Sequence, residues 1–210
     1  MDISERFWDR KAEAYSKSPI SDEGTYQKKL AETQKFFTPD MRVLEFGCGT
    51  GTTAIFHAPY VQHIHAIDIS QNMLDIGRAK AKDAGIENID FIRGTLIEFN
   101  AESASLDAVL ALNVIHLLAN RHETLADVAR ILKPGGIFVS STVCMSNSYL
   151  RFIELFAPLG KLLGLMPDVF ILKESEWARE IEDAGFAIEV QWHHGLHNMA
   201  VFIVARKIDS

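Results

Sequence analysis

Val43-Leu44-Glu45-Phe46-Gly47-Cys48-Gly49-Thr50-Gly51 runs from an apolar strand through a carboxylate into three glycines at alternate positions. Glycine at that spacing lets the chain turn tightly after the strand and brings bare N–H groups against a ligand, because no Cβ intervenes. A dinucleotide loop has its third glycine three residues after the second; here that position is Thr52 and the third glycine is Gly51. The spacing is therefore G-x-G-x-G. Glu45, two residues ahead of the first glycine, would repel a pyrophosphate on this loop and suits an ammonium group. His65-Ala66-Ile67-Asp68-Ile69-Ser70 is a second apolar strand ending in an acid, about 20 residues after the loop, where a nucleotide fold places its ribose-binding carboxylate. Two carboxylates and a glycine loop fit an adenosine with an amino-acid tail.

At these residues the chain resembles the class I S-adenosylmethionine-dependent methyltransferases. The resemblance covers most of the chain, adding Gln71-Asn72-Met73-Leu74, Phe91-Ile92-Arg93-Gly94-Thr95-Leu96, Leu106-Asp107-Ala108-Val109-Leu110-Ala111-Leu112-Asn113 and Ile131-Leu132-Lys133-Pro134-Gly135-Gly136. Each block alone is weak; their order and spacing together are specific. The resemblance implies a Rossmann-like, doubly wound α/β fold with a seven-stranded, mostly parallel sheet whose last strand is antiparallel. It implies S-adenosylmethionine as cofactor and S-adenosylhomocysteine as product. Glu45, Gly47 and Gly49 would line the methionine portion, with Glu45 reaching its ammonium. Asp68 would accept hydrogen bonds from both ribose hydroxyls, and Ile69 and Met73 would pack on the adenine. Gly94-Thr95-Leu96 departs from the family pattern, in which an Asp after the glycine bonds the adenine amino group; the Thr95 hydroxyl or the Leu96 N–H is left to do so. Asn113 would border the donor through its main-chain carbonyl. In the family the leader often closes over the donor, which makes Tyr15 a candidate contact.

A chain of 210 residues suits one domain, here 1–210, long enough for a full doubly wound sheet. Hydrophobic residues at 48% and charged residues at 23% are ordinary for a soluble globular protein. The beginning of the chain lacks the apolar run of a secretory signal, so a cytoplasmic location is the default expectation. Cys48 and Cys144, far apart in sequence, are expected as reduced thiols. Lys and Arg total 21 against 28 for Asp and Glu, a net charge of −7 that disfavours nucleic acid and favours a small-molecule acceptor.

Strand-like runs near 42–46, 64–68, 89–92, 107–112 and 137–142 alternate with helical segments, the pattern of a parallel sheet covered on both faces. Gln71 to Ala84 reads as a helix capped by Ser70 and stopped at Gly85; Glu123 to Leu132 is another, and Pro59 keeps the helix after the glycine loop short. Residues 1–38 form a helical leader, with Phe7, Trp8, Ala12 and Tyr15 near helical spacing. A helix near 174–184 precedes strands near 186–193 and 199–206, whose short connection makes them antiparallel. The apolar segment 149–166, within an insert spanning 144–172, is interrupted by Arg151, Glu154, Pro158 and Lys161 and is not a transmembrane span. It fits a helical lid walling the acceptor pocket with Phe152, Leu155, Phe156, Leu163 and Met166; ordinary packing, a dimer contact and a membrane-surface helix fit it too.

His116, just past the fourth strand, is the first candidate for general base or acceptor contact, because an imidazole titrates near neutral pH. A histidine satisfied at a helix start is the equal alternative. Among His193, His194 and His197, one, taken as His197, would reach the pocket mouth; no metal is expected, since neighbours on a hairpin point apart. The functional expectation is methyl transfer from S-adenosylmethionine to a small, apolar acceptor. A non-catalytic donor-binding or partner-binding protein is the alternative, ahead of a nicotinamide oxidoreductase, which the glycine spacing and Glu45 disfavour. The sequence leaves the oligomeric state open.

Overall fold

The computed structural model describes residues 3–144, 169–170, 172–195 and 199–208. The apolar runs form β1 (Arg42–Phe46), β2 (His63–Asp68), β3 (Ile89–Arg93), β4 (Leu106–Leu112), β5 (Leu132–Val143), β6 (Phe186–His194) and β7 (Ala200–Lys207). Among the described residues these make one sheet in the order β3-β2-β1-β4-β5-β7-β6. The first five strands pair parallel, and β7 lies antiparallel between β5 and β6. Strand order reverses between β1 and β4, and ligands of such sheets bind beyond the carboxyl ends of the strands at that switch. Phe46, Asp68 and Leu112 end there.

Both faces of the sheet are covered, so the central strands read as continuous apolar runs rather than alternating ones. Leu44, Val109, Phe138 and Ile203 pack with Val128, Ile131, Trp177 and Ile181 on one side. Val43, Leu110, Val139 and Phe202 pack with Ala54, Leu74 and Ala81 on the other. The covering helices are α1 (Ile3–Lys17), α2 (Glu23–Gln34), α3 (Thr52–His57), α4 (Gln71–Asp83), α5 (Leu96–Phe99), α6 (Arg121–Ile131) and α7 (Glu174–Asp183). The Ser70 side chain caps α4 by accepting the Met73 N–H at 3.2 Å, and Gly85 follows its end at φ +66°. After α3 a 3-10 turn, Ala58–Tyr60, contains Pro59.

The fifth strand departs from expectation. It starts at Leu132, not 137, and takes Pro134-Gly135-Gly136 into the strand. The register with β4 shifts between Leu106 and Ala108, and this bulge accommodates a proline without an N–H and Gly135 at φ +71°. The insert residues 145–168, including Phe152, Leu155, Phe156, Leu163 and Met166, lie outside the described residues, as does His197.

Candidate active site

β1 delivers Glu45 to the carboxyl edge of the sheet, and Gly47, Gly49 and Gly51 follow at φ +65°, +55° and +66°. The three glycines answer different demands. A Cβ on Gly47 would stand 2.6 Å from Val114 Cγ2, and one on Gly51 would press into the Phe91 ring, 2.8 Å from Cζ. At Gly49 the nearest atom to a Cβ would be Tyr15 Cε1 at 3.8 Å. Gly47 and Gly51 therefore serve close packing as well as the turn, and Gly49 is the glycine with open space beside it. Cys48 N–H donates to the Ile67 carbonyl at 3.1 Å and ties the loop to β2. Cys48 and Cys144 are free thiols, and burial raises both pKa values, that of Cys144 to about 12.

Asp68 is held by two backbone donors: Gly49 N–H to Oδ2 at 2.8 Å and Ser70 N–H to Oδ1 at 2.9 Å. Each oxygen keeps a lone pair for another donor. Burial raises the Asp68 pKa, and those two N–H bonds pull the other way. Glu45 is 3% exposed, and its Oε2 has no hydrogen-bond partner among the described residues. Burial, reinforced by the charge of Asp68, pushes its pKa up to about 8. A buried carboxyl oxygen without a donor is costly unless a ligand supplies one.

The leader is fixed over this loop. Asp9 Oδ1 accepts the Ser70 hydroxyl at 2.6 Å and the Asn72 N–H at 3.2 Å, fastening α1 to the start of α4. Glu5 pairs with Arg93. Tyr15, itself half exposed, then stands beside Gly49, and partial desolvation of its hydroxyl together with the charges of Asp68 and Glu45 raises its pKa. Met73 is buried and Ile69 half-buried next to Asp68. Gly94 N–H donates to the Asp68 carbonyl at 3.0 Å, so the β3 loop joins the same edge. The Thr95 hydroxyl is engaged in a capping box with Glu98, whereas Leu96 opens α5, where a backbone N–H has no intrahelical acceptor. Asn113 adopts φ +59° and donates its N–H to the Ser141 carbonyl at 2.7 Å.

His116 lies beyond β4 in the turn Ile115–Leu117, with Nδ1 3.3 Å from Thr142 Oγ1 and its carbonyl accepting the Phe170 N–H at 2.8 Å. Burial lowers its pKa and keeps the ring neutral at physiological pH. His193 and His194 point apart: His193 Nε2 meets Glu174 Oε2 at 2.6 Å, and His194 Nε2 meets Ser141 Oγ at 3.1 Å. Sequence reasoning missed Tyr26 and Lys29 of α2. Tyr26 Oη lies 3.2 Å from Thr53 Oγ1, and Lys29 Nζ donates to Ser141 Oγ at 2.9 Å. Their spacing of three residues, with Thr33 four further on, was the available signal, but an apolar periodicity overlooks a polar stripe.

Residues 43–136 match a family model described as a methyltransferase domain. The glycine loop, Asp68 and the strands β2, β3 and β4 lie within that match. This match, together with the methyltransferase relatives, supports the class I S-adenosylmethionine-dependent methyltransferase superfamily for residues 43–136. An uncharacterized methyltransferase of Bacillus subtilis, YcgJ, is 28% identical over 130 residues, covering 62% of this chain and 51% of YcgJ. The ubiquinone biosynthesis O-methyltransferase of Maricaulis maris is 34% identical over 106 residues, 49% of this chain and 41% of that protein. The chain thus spans about half the length of these curated relatives or less. The geranyl diphosphate C-methyltransferase of Streptomyces coelicolor, solved with Mg2+, geranyl diphosphate and S-adenosyl-L-homocysteine, superposes with a TM-score of 0.75 at 14% identity, covering 98% of this chain and 97% of that one. At that identity the superposition speaks for the fold. Among the described residues no helix is long and apolar enough to cross a membrane.

Proposed function

We propose that this chain is an S-adenosylmethionine-dependent methyltransferase acting on a small acceptor. The observation that carries the reading is the buried, unpartnered Oε2 of Glu45 beside a glycine loop pinned to Asp68. An α-ammonium would satisfy that oxygen, and two ribose hydroxyls would use the remaining lone pairs of Asp68. Gly47 and Gly49 would let the amino-acid tail lie along the loop, with Tyr15 over it. Ile69 and Met73 would flank the adenine. Gly94, Thr95 and Leu96 would border it through the main chain, since the Thr95 hydroxyl already serves its helix, and Asn113 would close the far side. The ubiquinone biosynthesis O-methyltransferase among the relatives supports a small acceptor.

When bound, the donor supplies a methyl group already activated on a sulfonium, so the protein's work is orientation, exclusion of water and proton removal. His116 would contact the acceptor, because a neutral imidazole steadied at Nδ1 by Thr142 leaves Nε2 for the acceptor side. Phe152, Leu155, Phe156 and His197 remain proposed acceptor contacts.

Calorimetry with S-adenosylmethionine and S-adenosylhomocysteine tests the donor assignment. Asp68→Ala removes two charge-assisted hydrogen bonds and is expected to weaken binding by about 2–3 kcal/mol, close to a hundredfold. Unchanged affinity in that variant would remove Asp68 from the site. Turnover then needs a mass-spectrometric screen of metabolite pools for S-adenosylhomocysteine formation, in which His116→Ala should lower the rate without lowering donor affinity.

A further inference from the structure

We propose that Lys29, seated on Ser141 and His194, anchors the acceptor through an acidic oxygen of the phenol or enol type. The inference rests on the methyltransferase reading and adds the chemical class of the acceptor. α2 presents Tyr26 and Lys29 three residues apart, on one face. Tyr26 meets Thr53 at the start of α3, directly after the glycine loop, and its hydroxyl pKa, raised to about 12 mainly by burial, also feels the charge of Glu45. One turn further, Lys29 reaches the tip of β5. Ser141 is wholly buried there, and its carbonyl holds the N–H of Asn113 at the neighbouring tip of β4. The helix therefore spans from the donor loop to the adjacent end of the switch point, where an acceptor has to sit.

The hydrogen bonds at this tip have a direction. Lys29 N–H donates to Ser141 Oγ, whose hydroxyl can donate onward to His194 Nε2. His194 is neutral, its pKa lowered to about 4 by burial and by the Lys29 charge, so its ring can accept. Among the described residues, the titratable groups that face Lys29 are Asp22 on its own helix and His194 on β6. Asp22 is exposed and spends its oxygens on the Thr25 N–H and hydroxyl at the helix start. No carboxylate among the described residues lies within ion-pair distance of Lys29. A half-buried amine so placed has unused donor capacity and gains from an anion.

Burial also brings the Lys29 pKa down to about 8, so the neutral amine is populated near physiological pH. In the reaction that follows, the acceptor O–H gives its proton to the amine, and the ammonium pairs with the oxyanion. An electron pair of the oxyanion, or of a carbon conjugated with it, forms the bond to the methyl carbon. The sulfur–methyl bond breaks, and its pair stays on sulfur.

The test uses protein saturated with S-adenosylhomocysteine and titrated with p-nitrophenol, whose anion has its own visible absorption band. Nitrobenzene, which lacks the acidic oxygen, is the control. The wild type should bind p-nitrophenol as its anion at a pH where the free phenol is mostly protonated, and roughly tenfold more tightly than nitrobenzene, the worth of one charge-assisted bond. Lys29→Met and Lys29→Gln should abolish the anion band and about tenfold of affinity, whereas Lys29→Arg keeps both. Lys29→Gln retains an amide donor for Ser141, so a preserved melting temperature shows that loss of the anion is not loss of the fold. The proposal is overturned if the wild type shows no saturable anion band, or if Lys29→Gln binds p-nitrophenol as the wild type does. Wild-type protein that fails to bind S-adenosylhomocysteine on its own sinks the methyltransferase reading, and this inference with it.

Discussion

Glu45 is a buried carboxyl group whose Oε2 finds no partner among the described residues. Its pKa, about 8 instead of 4.5, means that the empty protein carries it mostly protonated at pH 7. An ammonium arriving at Oε2 favours the charged form, so donor binding should expel about one proton at pH 7. Calorimetry in buffers of different ionisation heat reads this directly, and Glu45→Gln should bind more weakly with no proton released. An identical heat in all buffers for the wild type would show that Glu45 does not meet the ammonium. At this scale the sequence was legible where chemistry and position coincide: Glu45 before the loop and Asp68 at a strand end are unusual residues for apolar runs. Lys29 was not legible, because a lysine on a polar helix looks solvated until the tip of β5, 112 residues later in the chain, is folded against it.

At the level of elements, the α4–β3 contact turns on one ring. Phe91 lies against both Gly51 and Gly77, and a Cβ on Gly77 would be 2.7 Å from its Cε1. Gly77→Ala should therefore destabilise the protein by about 1–3 kcal/mol in urea unfolding, despite alanine's better helix propensity. Gly77→Ala combined with Phe91→Leu should recover part of that loss. Gly85→Ala meets no neighbour and should cost only the strain of φ +66°, about 1 kcal/mol. The parallel strands and α4 were readable from continuous apolar runs and from Ser70 and Gly85. The start of β5 was not: Pro134-Gly135-Gly136 signals a break, and only the register with β4 turns it into a bulge. Likewise the spacing of Gly47, Gly49 and Gly51 suggested one common purpose, while their neighbours Val114 and Phe91 lie far along the chain.

For the molecule as a whole, two buried groups oppose each other in pH. His57 is fully buried, packs edge-on against Phe37, and has its pKa lowered to about 4 by burial. Its contribution to stability is complete above 6.5 and is lost as pH falls from 6.5 towards 4. Glu45 acts in the other sense: its contribution is complete below 4.5 and is lost as pH rises towards 8. Melting temperature against pH should accordingly fall on both sides. His57→Leu should flatten the acid limb, Glu45→Gln the alkaline one, and saturating S-adenosylmethionine should flatten the alkaline limb without mutation. A wild-type profile level from pH 4 to 8 would contradict both assignments. Across the sheet, the switch point divides the chain's duties. β1, β2 and β3 with their loops form one flank, and β5, β7 and β6 with the Ser141–His194 contact form the other. A lineage could rewrite the second flank, residue by residue, while inheriting the first unchanged. Such a chain is free to change its clientele and still draw on one common reagent, as a tool handle accepts successive blades.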